Sequence, residues 1–404
     1  MNGIGYKKYS IRLKALSPVF IGGGEDSKVS RLEYVYSRNS KKIYLLDSGK
    51  WVRFLSETRL LDDYVENARR VASGSRGGID NYEYLSSRIR VHKRDVEAVL
   101  EEVSYQTLST GKNPEFRTHD IYLFLRNAEY LPYIPGSSIK GALETALLSY
   151  FCSAKTGIRE RYGSRVFGLL NDNKMKPQQK KKGLGRTAKQ IEEEAFDWET
   201  ERNQKRIKIK GMSGLSVSDS KPFSSSRLYL DKKRDLVIKD GIEKESGRIP
   251  FYREYAEPGT ETEFTLTLYP DRLKKELGIT DIIDIIKAME ARWNLLFGDN
   301  GFFKAWPSVE KYLPLEAVKE NRGLIILGGG AGYHSKTIIT AISRNMRDAN
   351  ELTKRILDVN YKNKKHFRDT PLSPRALKVA EYNGRKQIIG ICRIEVLQQC
   401  RTSF

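Results

Sequence analysis

The chain has 404 residues, 39% of them apolar, which is enough for two domains or one large domain with insertions and excludes a disordered chain. Lys and Arg number 72 against 51 Asp and Glu, a net charge of +21 and a pI near 9.6, so a polyanionic partner is expected, nucleic acid first. Cys152, Cys392 and Cys400 lack CxxC spacing, no apolar run approaches the ~20 residues of a bilayer span, and Met1–Ser10 has no apolar signal region, so a zinc site, a membrane span and secretion are set aside and a cytoplasmic location is expected.

In chain order, Tyr9–Leu16 alternates apolar and polar residues and predicts a first strand, followed by Val19-Phe20-Ile21 and a Gly22-Gly23-Gly24 turn. Leu32–Tyr36 and Lys42–Leu46 predict a strand pair. Residues 51–105 have helical spacing (Trp51, Phe54, Leu55; Val96, Val99, Leu100, Val103) and predict a helical insertion, with Ser73–Gly78 as a loop inside it. Ile121–Leu125 predicts a short strand. Pro135–Gly141 is a turn that opens an amphipathic helix with Ile139, Leu143, Ala146, Leu147 and Phe151 on one face. Asn171–Lys189 has seven basic residues and one acid, Asp172, and predicts a mobile basic loop; an acidic helical stretch is expected over Ile191–Arg202. Beyond it, strands are expected at Leu215–Ser220, Arg227–Leu230, Ile249–Tyr255, Thr262–Leu268, Leu324–Leu327 and Ile388–Val396. A helix is expected at Asp281–Phe297 and another from about Lys336. Strands and helices mix without strict alternation, which predicts an α+β fold. The two halves rhyme, each with an alternating strand, a later apolar strand, a glycine turn and a lysine at a helix start. The division is set at 1–206 and 207–404.

Three glycine-rich turns carry the candidate chemistry. In Gly136-Ser137-Ser138-Ile139-Lys140-Gly141 a serine is placed to cap the helix, yet Lys140 stands in the first turn, where the helix dipole disfavours a cation. A bound phosphate would remove that conflict. Gly328-Gly329-Gly330-Ala331-Gly332-Tyr333-His334-Ser335-Lys336-Thr337 has the composition of a phosphate-cradling loop, but Ser335 precedes Lys336, so it is no Walker A motif. There Tyr333 is placed to stack on a base and Lys336 to meet a phosphate. Gly22-Gly23-Gly24 offers a third backbone surface. His334 opens an alternative, a metal-independent endoribonuclease, with His92, His119 and His366 apart from it in sequence. A general basic RNA chaperone is a third reading. No carboxylate cluster supports a metal, and no cofactor is expected.

Ser17-Pro18-Val19-Phe20-Ile21-Gly22-Gly23-Gly24 and Tyr133-Ile134-Pro135-Gly136-Ser137-Ser138-Ile139-Lys140-Gly141-Ala142-Leu143 resemble the signatures of the RAMP superfamily of CRISPR effector proteins. Glu144 stands where that motif usually continues with Arg. Val217-Ser218-Asp219-Ser220, Ile249-Pro250-Phe251-Tyr252-Arg253-Glu254, Glu257-Pro258-Gly259-Thr260 and the Leu327–Thr337 loop resemble the fifth-subunit family of type III-A Csm complexes, as does the ending Leu372-Ser373-Pro374, Leu377-Lys378 and Gly390-Ile391-Cys392. The resemblance spans nearly the whole chain. It implies two ferredoxin-like (RRM-like) domains, and a non-catalytic RNA-binding subunit that caps the backbone at the crRNA 3′ end. It also implies support for crRNA 3′ maturation, contacts with crRNA, target RNA and the other Csm backbone and small subunits, and recruited host nucleases. No counterpart of the neighbouring backbone subunit's cleaving loop aspartate stands out, so no cleavage by this chain is expected.

Overall fold

The computed structural model describes residues 5–74, 79–89, 95–110, 116, 118–202, 205–247 and 251–400. Part of the Ser73–Gly78 loop, His92, and Ile249 and Pro250 of the expected strand lie outside them.

The central sheet has five strands: β1 (Lys7–Ala15), β2 (Leu215–Val217), β3 (Glu261–Leu268), β4 (Leu324–Ile326) and β5 (Ile391–Cys400), in the order β4-β5-β1-β3-β2, every pair antiparallel. In β1 the alternation works as expected, since Tyr9, Ile11, Leu13 and Ala15 point into the core and Ser10, Arg12 and Lys14 point away. Helix α1 (Gly136–Ala154) lies between β1 and β2 in sequence, and α4 (Ile282–Phe297) between β3 and β4. The run β5-β1-β3-β2 is the antiparallel centre of the sheet, with these two helices in the connections. It takes β1 and α1 from before residue 206 and the remaining strands and α4 from after it, so strands from both halves share one sheet.

The α1 face expected from periodicity is the buried one: Ile139, Leu143, Ala146, Leu147 and Phe151 join the main core. Each of the Ile, Leu and Phe side chains stabilises by about 1.5–3 kcal/mol relative to exposure. Helix α4 packs against α1 and is started by a reciprocal cap, in which the Asp281 carboxylate accepts from the Ile283 amide and Asp284 accepts from the Asp281 amide. Four helices (Ser48–Glu57, Leu61–Ser73, Asn81–Ile89, Val96–Val103) sit with the three-stranded sheet Tyr34–Ser37, Lys42–Leu46, Ser104–Ser109 around a second core that includes Tyr44, Trp51, Phe54, Leu85 and Leu100.

The segment expected to be a mobile basic loop is mostly helical. After α2 (Thr156–Asn171), α3 runs from Pro177 to Phe196. Pro177 pre-sets the first turn, and the Gln179 side chain accepts from the Lys176 amide at 2.7 Å. Lys, Gln and Glu are good helix formers, and Leu184, Thr187, Ile191 and Ala195 recur every three to four residues along the packed side. Charge count hid that sparse apolar stripe. The helix then stops at Phe196, earlier than expected, and Trp198–Arg202 pairs as a strand with Lys205–Ile209. The expected strand Ile121–Leu125 is reduced to Ile121–Tyr122, because the Phe124 amide donates to the Glu254 carboxylate instead of to a ladder. No described helix is long and apolar enough to cross a membrane.

Candidate nucleic-acid interface

Phe20 follows β1 and organises the site. Its carbonyl accepts the Gly329 amide at 2.8 Å, which draws the loop after β4 onto the start of the Gly22–Gly24 turn. Gly328 has φ +83°, and a Cβ there would lie 2.1 Å from the Phe20 carbonyl oxygen. Gly330 also has φ +83°, and its Cβ would lie 2.0 Å from Arg253 Nη1. Both positions therefore require glycine, for backbone conformation and for approach.

At α1 the Gly136 amide donates to Asp219 Oδ1 at 2.7 Å, and a Cβ on Gly136 would lie 2.3 Å from the Val217 carbonyl oxygen. The anion expected at this helix start is thus supplied from within the chain, by a carboxylate on the loop after β2. Neither Ser137 nor Ser138 caps the helix; Ser137 is exposed and Ser138 half-buried. Lys140 donates to the Met212 carbonyl at 3.0 Å, which resolves its conflict with the dipole without a ligand.

The three turns meet in one cleft of about 560 Å³, lined by Phe20, Gly22, Gly24, Ser137, Ser138, Gly141, Arg253, Gly328, Gly329 and Lys336. Gly22, Gly23 and Gly24 are exposed at its rim. Arg253 lines the cleft from its strand. Its guanidinium lies 4.7 Å from the Phe20 ring centre and 5.4 Å from that of Phe251, and its Nε and Nη1 have no hydrogen-bond partner among the described residues. Lys336 is exposed at the cleft, and Lys378 packs beside Gly332 (φ +92°). Asp235 pairs with both Lys378 (2.8 Å) and Lys233 (3.0 Å). Burial, and then Lys378, pushes the Lys233 ammonium below its usual range, while Lys378 and Lys233 together hold Asp235 low despite its burial. Asp235 is thus shared by two cations, while Arg253 and Lys336 line a groove with exposed glycine backbone, an arrangement suited to a phosphodiester strand.

The remaining loop residues have other roles. His334 is 3% exposed, its ring centre lies 3.9 Å from that of Phe302, and its Nε2–H donates to the Ser373 carbonyl at 2.8 Å. Burial pushes its pKa down to about 4. The ring faces the core, beyond reach of a strand in the cleft, which removes the geometric basis for a ribonuclease centred on it. Tyr333 is half-buried, with its hydroxyl pushed up to about 12 by burial. It lines a second groove of about 820 Å³ that shares Gly141, Thr145 and Lys336 with the cleft. The Thr337 carbonyl accepts from Arg292 Nη2 at 2.6 Å, and the same nitrogen donates to the His334 carbonyl. Arg292 Nη1 reaches Ser149 on α1, so this buried guanidinium, its pKa lowered to about 10 by burial, pins the loop to both core helices. Among the described residues no His, Cys, Asp and Glu side chains group as a metal site.

Sequence reasoning missed Phe20, Arg253, Asp219 and Arg292 as site builders. Phe20, Arg253 and Asp219 had a signal, since each stands in a motif that carries the resemblance. Arg292 had none, because it sits among the apolar positions of a helix whose other charged residues, Asp284, Lys287 and Glu290, read equally as solvated.

The model of the RAMP superfamily matches residues 12–330. The chain is 28% identical over 278 residues to the CRISPR system Cms protein Csm5 of Streptococcus thermophilus, covering 68% of each chain. It is 27% identical over 362 residues to Csm5 of Enterococcus italicus, covering 82% of this chain and 80% of that one. In fold it is similar to the crystal structure of T. onnurineus Csm5 (TM-score 0.59, 18% identity, 95% of this chain and 99% of that chain). It is similar as well to a chain of the cryo-EM structure of a Csm-crRNA-target RNA ternary complex of a type III-A CRISPR-Cas system (TM-score 0.59, 19% identity, 96% and 100%).

Proposed function

The chain is a member of the RAMP superfamily, and on that premise we propose that it is a subunit of a type III-A CRISPR Csm complex that holds the guide RNA without cutting it. Its place is at the crRNA 3′ end of the backbone filament, where it caps the assembly, contacts neighbouring backbone and small subunits, and supports 3′ maturation by nucleases supplied from elsewhere. The likeness to Csm5 proteins over most of the chain supports the subunit assignment. The observation that carries the RNA assignment is the convergence of the three glycine turns on one cleft lined by Arg253 and the exposed Lys336. Glycine backbone lets a sugar–phosphate chain approach closely, and the cations answer its charge independently of base sequence.

The test is to purify the native complex through a tag on this chain and to sequence its RNA. The expected result is a stoichiometric complex with one guide. Replacing Arg253 and Lys336 together by alanine is expected to lower crRNA content or to alter its 3′ ends. A chain that purifies alone would sink the reading, and normal guide content and ends in the double variant would remove the cleft from it.

A further inference from the structure

The groove that adjoins the cleft does not end blindly. One wall holds Tyr333, Ile338, Ile356 and Asn360, and Asn360 is the last residue of α5 (Met346–Asn360). The next residue, Tyr361, begins the segment Tyr361-Lys362-Asn363-Lys364-Lys365-His366-Phe367-Arg368. Tyr361 is 58% exposed and Phe367 59% exposed, and all four cations of the segment are exposed as well. Two aromatic rings thus stand in water among four exposed cations.

The segment is built rather than loose. The Asp358 carboxylate accepts the His366 and Phe367 amides, at 2.6 and 2.9 Å. Lys365 takes the left-handed conformation, φ +53°, between two short 3-10 turns. The buried Asp369 binds His366 Nδ1 at 2.7 Å and Arg375 at 2.8 Å. The two nearby carboxylates are thereby consumed inside the segment. Lys362, Lys364, Lys365 and Arg368 form no ion pair with a described carboxylate, and Arg368 lies 5.2 Å from the Phe367 ring centre.

We infer that Tyr361–Arg368 is a second RNA contact, a platform on which single-stranded RNA leaving the glycine cleft stacks bases on Tyr361 and Phe367 and sets phosphates against the four cations. Interleaved aromatic and basic side chains are the pattern that binds single strands without sequence preference. The shared residues Gly141, Thr145 and Lys336 give a continuous path from the cleft through the groove to Asn360. The inference rests on the reading of this chain as an RNA binder, and it adds a site to that reading.

The test uses the full chain and a fluorescein-labelled 15-nucleotide oligouridine, with anisotropy read across a salt series. Replacing Lys362, Lys364, Lys365 and Arg368 by glutamine is expected to weaken binding at least about tenfold and to reduce the log–log salt slope by up to about 2.8 for four lost contacts. Replacing Tyr361 and Phe367 by alanine is expected to weaken binding at least about thirtyfold with the slope unchanged. All six positions are exposed, so melting temperatures should match the wild type, and 5-bromouridine photocrosslinks should map to this segment in the wild-type chain. Wild-type affinity and slope in both variants would overturn the inference. So would unchanged RNA affinity with loss of copurifying subunits, which would assign the face to protein docking. If Arg253→Ala weakens binding while both segment variants do not, this inference alone fails; if the wild-type chain binds no RNA, it fails together with the reading beneath it.

Discussion

The Arg253 guanidinium rests 4.7 Å over the Phe20 ring, while the Phe20 carbonyl holds the glycine loop through Gly329. One residue thus positions both the cation and the backbone surface of the cleft. A ring attracts a guanidinium through its quadrupole and occupies no N–H donor, and Nε and Nη1 are buried without a partner among the described residues. The missing side chain of Gly330 is the space in which that guanidinium sits.

Arg253→Ala should lower affinity for single-stranded RNA about tenfold and reduce the salt slope by about 0.7, one phosphate contact. Arg253→Lys should keep the slope but lose part of the affinity, because an ammonium lacks the planar fork and stacks poorly. Anisotropy titrations at three salt concentrations separate the two; equal affinities for all three proteins would exclude Arg253 from the interface.

Gly328→Ala should destabilise the fold by roughly 2 kcal/mol or more, since the added methyl meets the Phe20 carbonyl at 2.1 Å and the backbone stays at φ +83°. Gly23→Ala should cost well under 1 kcal/mol, because its Cβ would meet a leucine methyl at 3.2 Å and φ is not positive. Urea melts of both proteins give the comparison, and equal midpoints would contradict the close approach.

His334 predicts an acid-sensitive loop. Its pKa is about 4 in the folded chain against 6.5 unfolded, so the unfolded state binds more protons between those values. The contribution is complete above pH 6.5 and is lost as pH falls toward 4, amounting to about 2 kcal/mol between pH 7 and pH 5. His334→Gln should be less stable at pH 7 yet lose that part of the pH dependence. Parallel wild-type and variant slopes over pH 5–7 would show that burial of the ring is not responsible.

Glu254 is 2% exposed and pairs with Arg126 at 2.6 Å while accepting the Phe124 amide at 2.8 Å. Glu254→Ala leaves the buried Arg126 guanidinium without its counter-charge, held only by the Phe124 carbonyl, and the Phe124 amide without its acceptor, and should cost about 3–5 kcal/mol. Replacing both partners by apolar residues should recover much of that loss. Chemical denaturation of the single and double variants measures it.

Lys140→Ala removes a hydrogen bond to the Met212 carbonyl, and Asp219→Asn removes the charge at the Gly136 amide. Each is expected to lower stability by about 1 kcal/mol. RNA affinity at saturating folded protein should stay near wild type for Lys140→Ala. A large affinity loss in that variant would restore the phosphate role that its position in the motif suggests.

Much of the fold was legible along the chain because it is local. Alternation marks β1, the i, i+3, i+4 spacing marks α1, and Asp281 marks the start of α4, all through contacts within a few residues. The three glycine turns stood out for the same reason, because a backbone that must take positive φ or meet another backbone shows as glycine in the sequence itself. Tertiary structure decided what those turns do. Strands from both halves close into one sheet through pairings of β1 with residues some 250 and 380 positions away. Lys140 and His334 read as free chemistry in sequence, yet one is spent on Met212 and the other is buried under Phe302. Arg253, marked in sequence only by its motif, lines the cleft together with Lys336. Composition determined that this protein should meet a polyanion; only long-range packing, which consumes some charges and leaves others without partners, decided which residues can meet it.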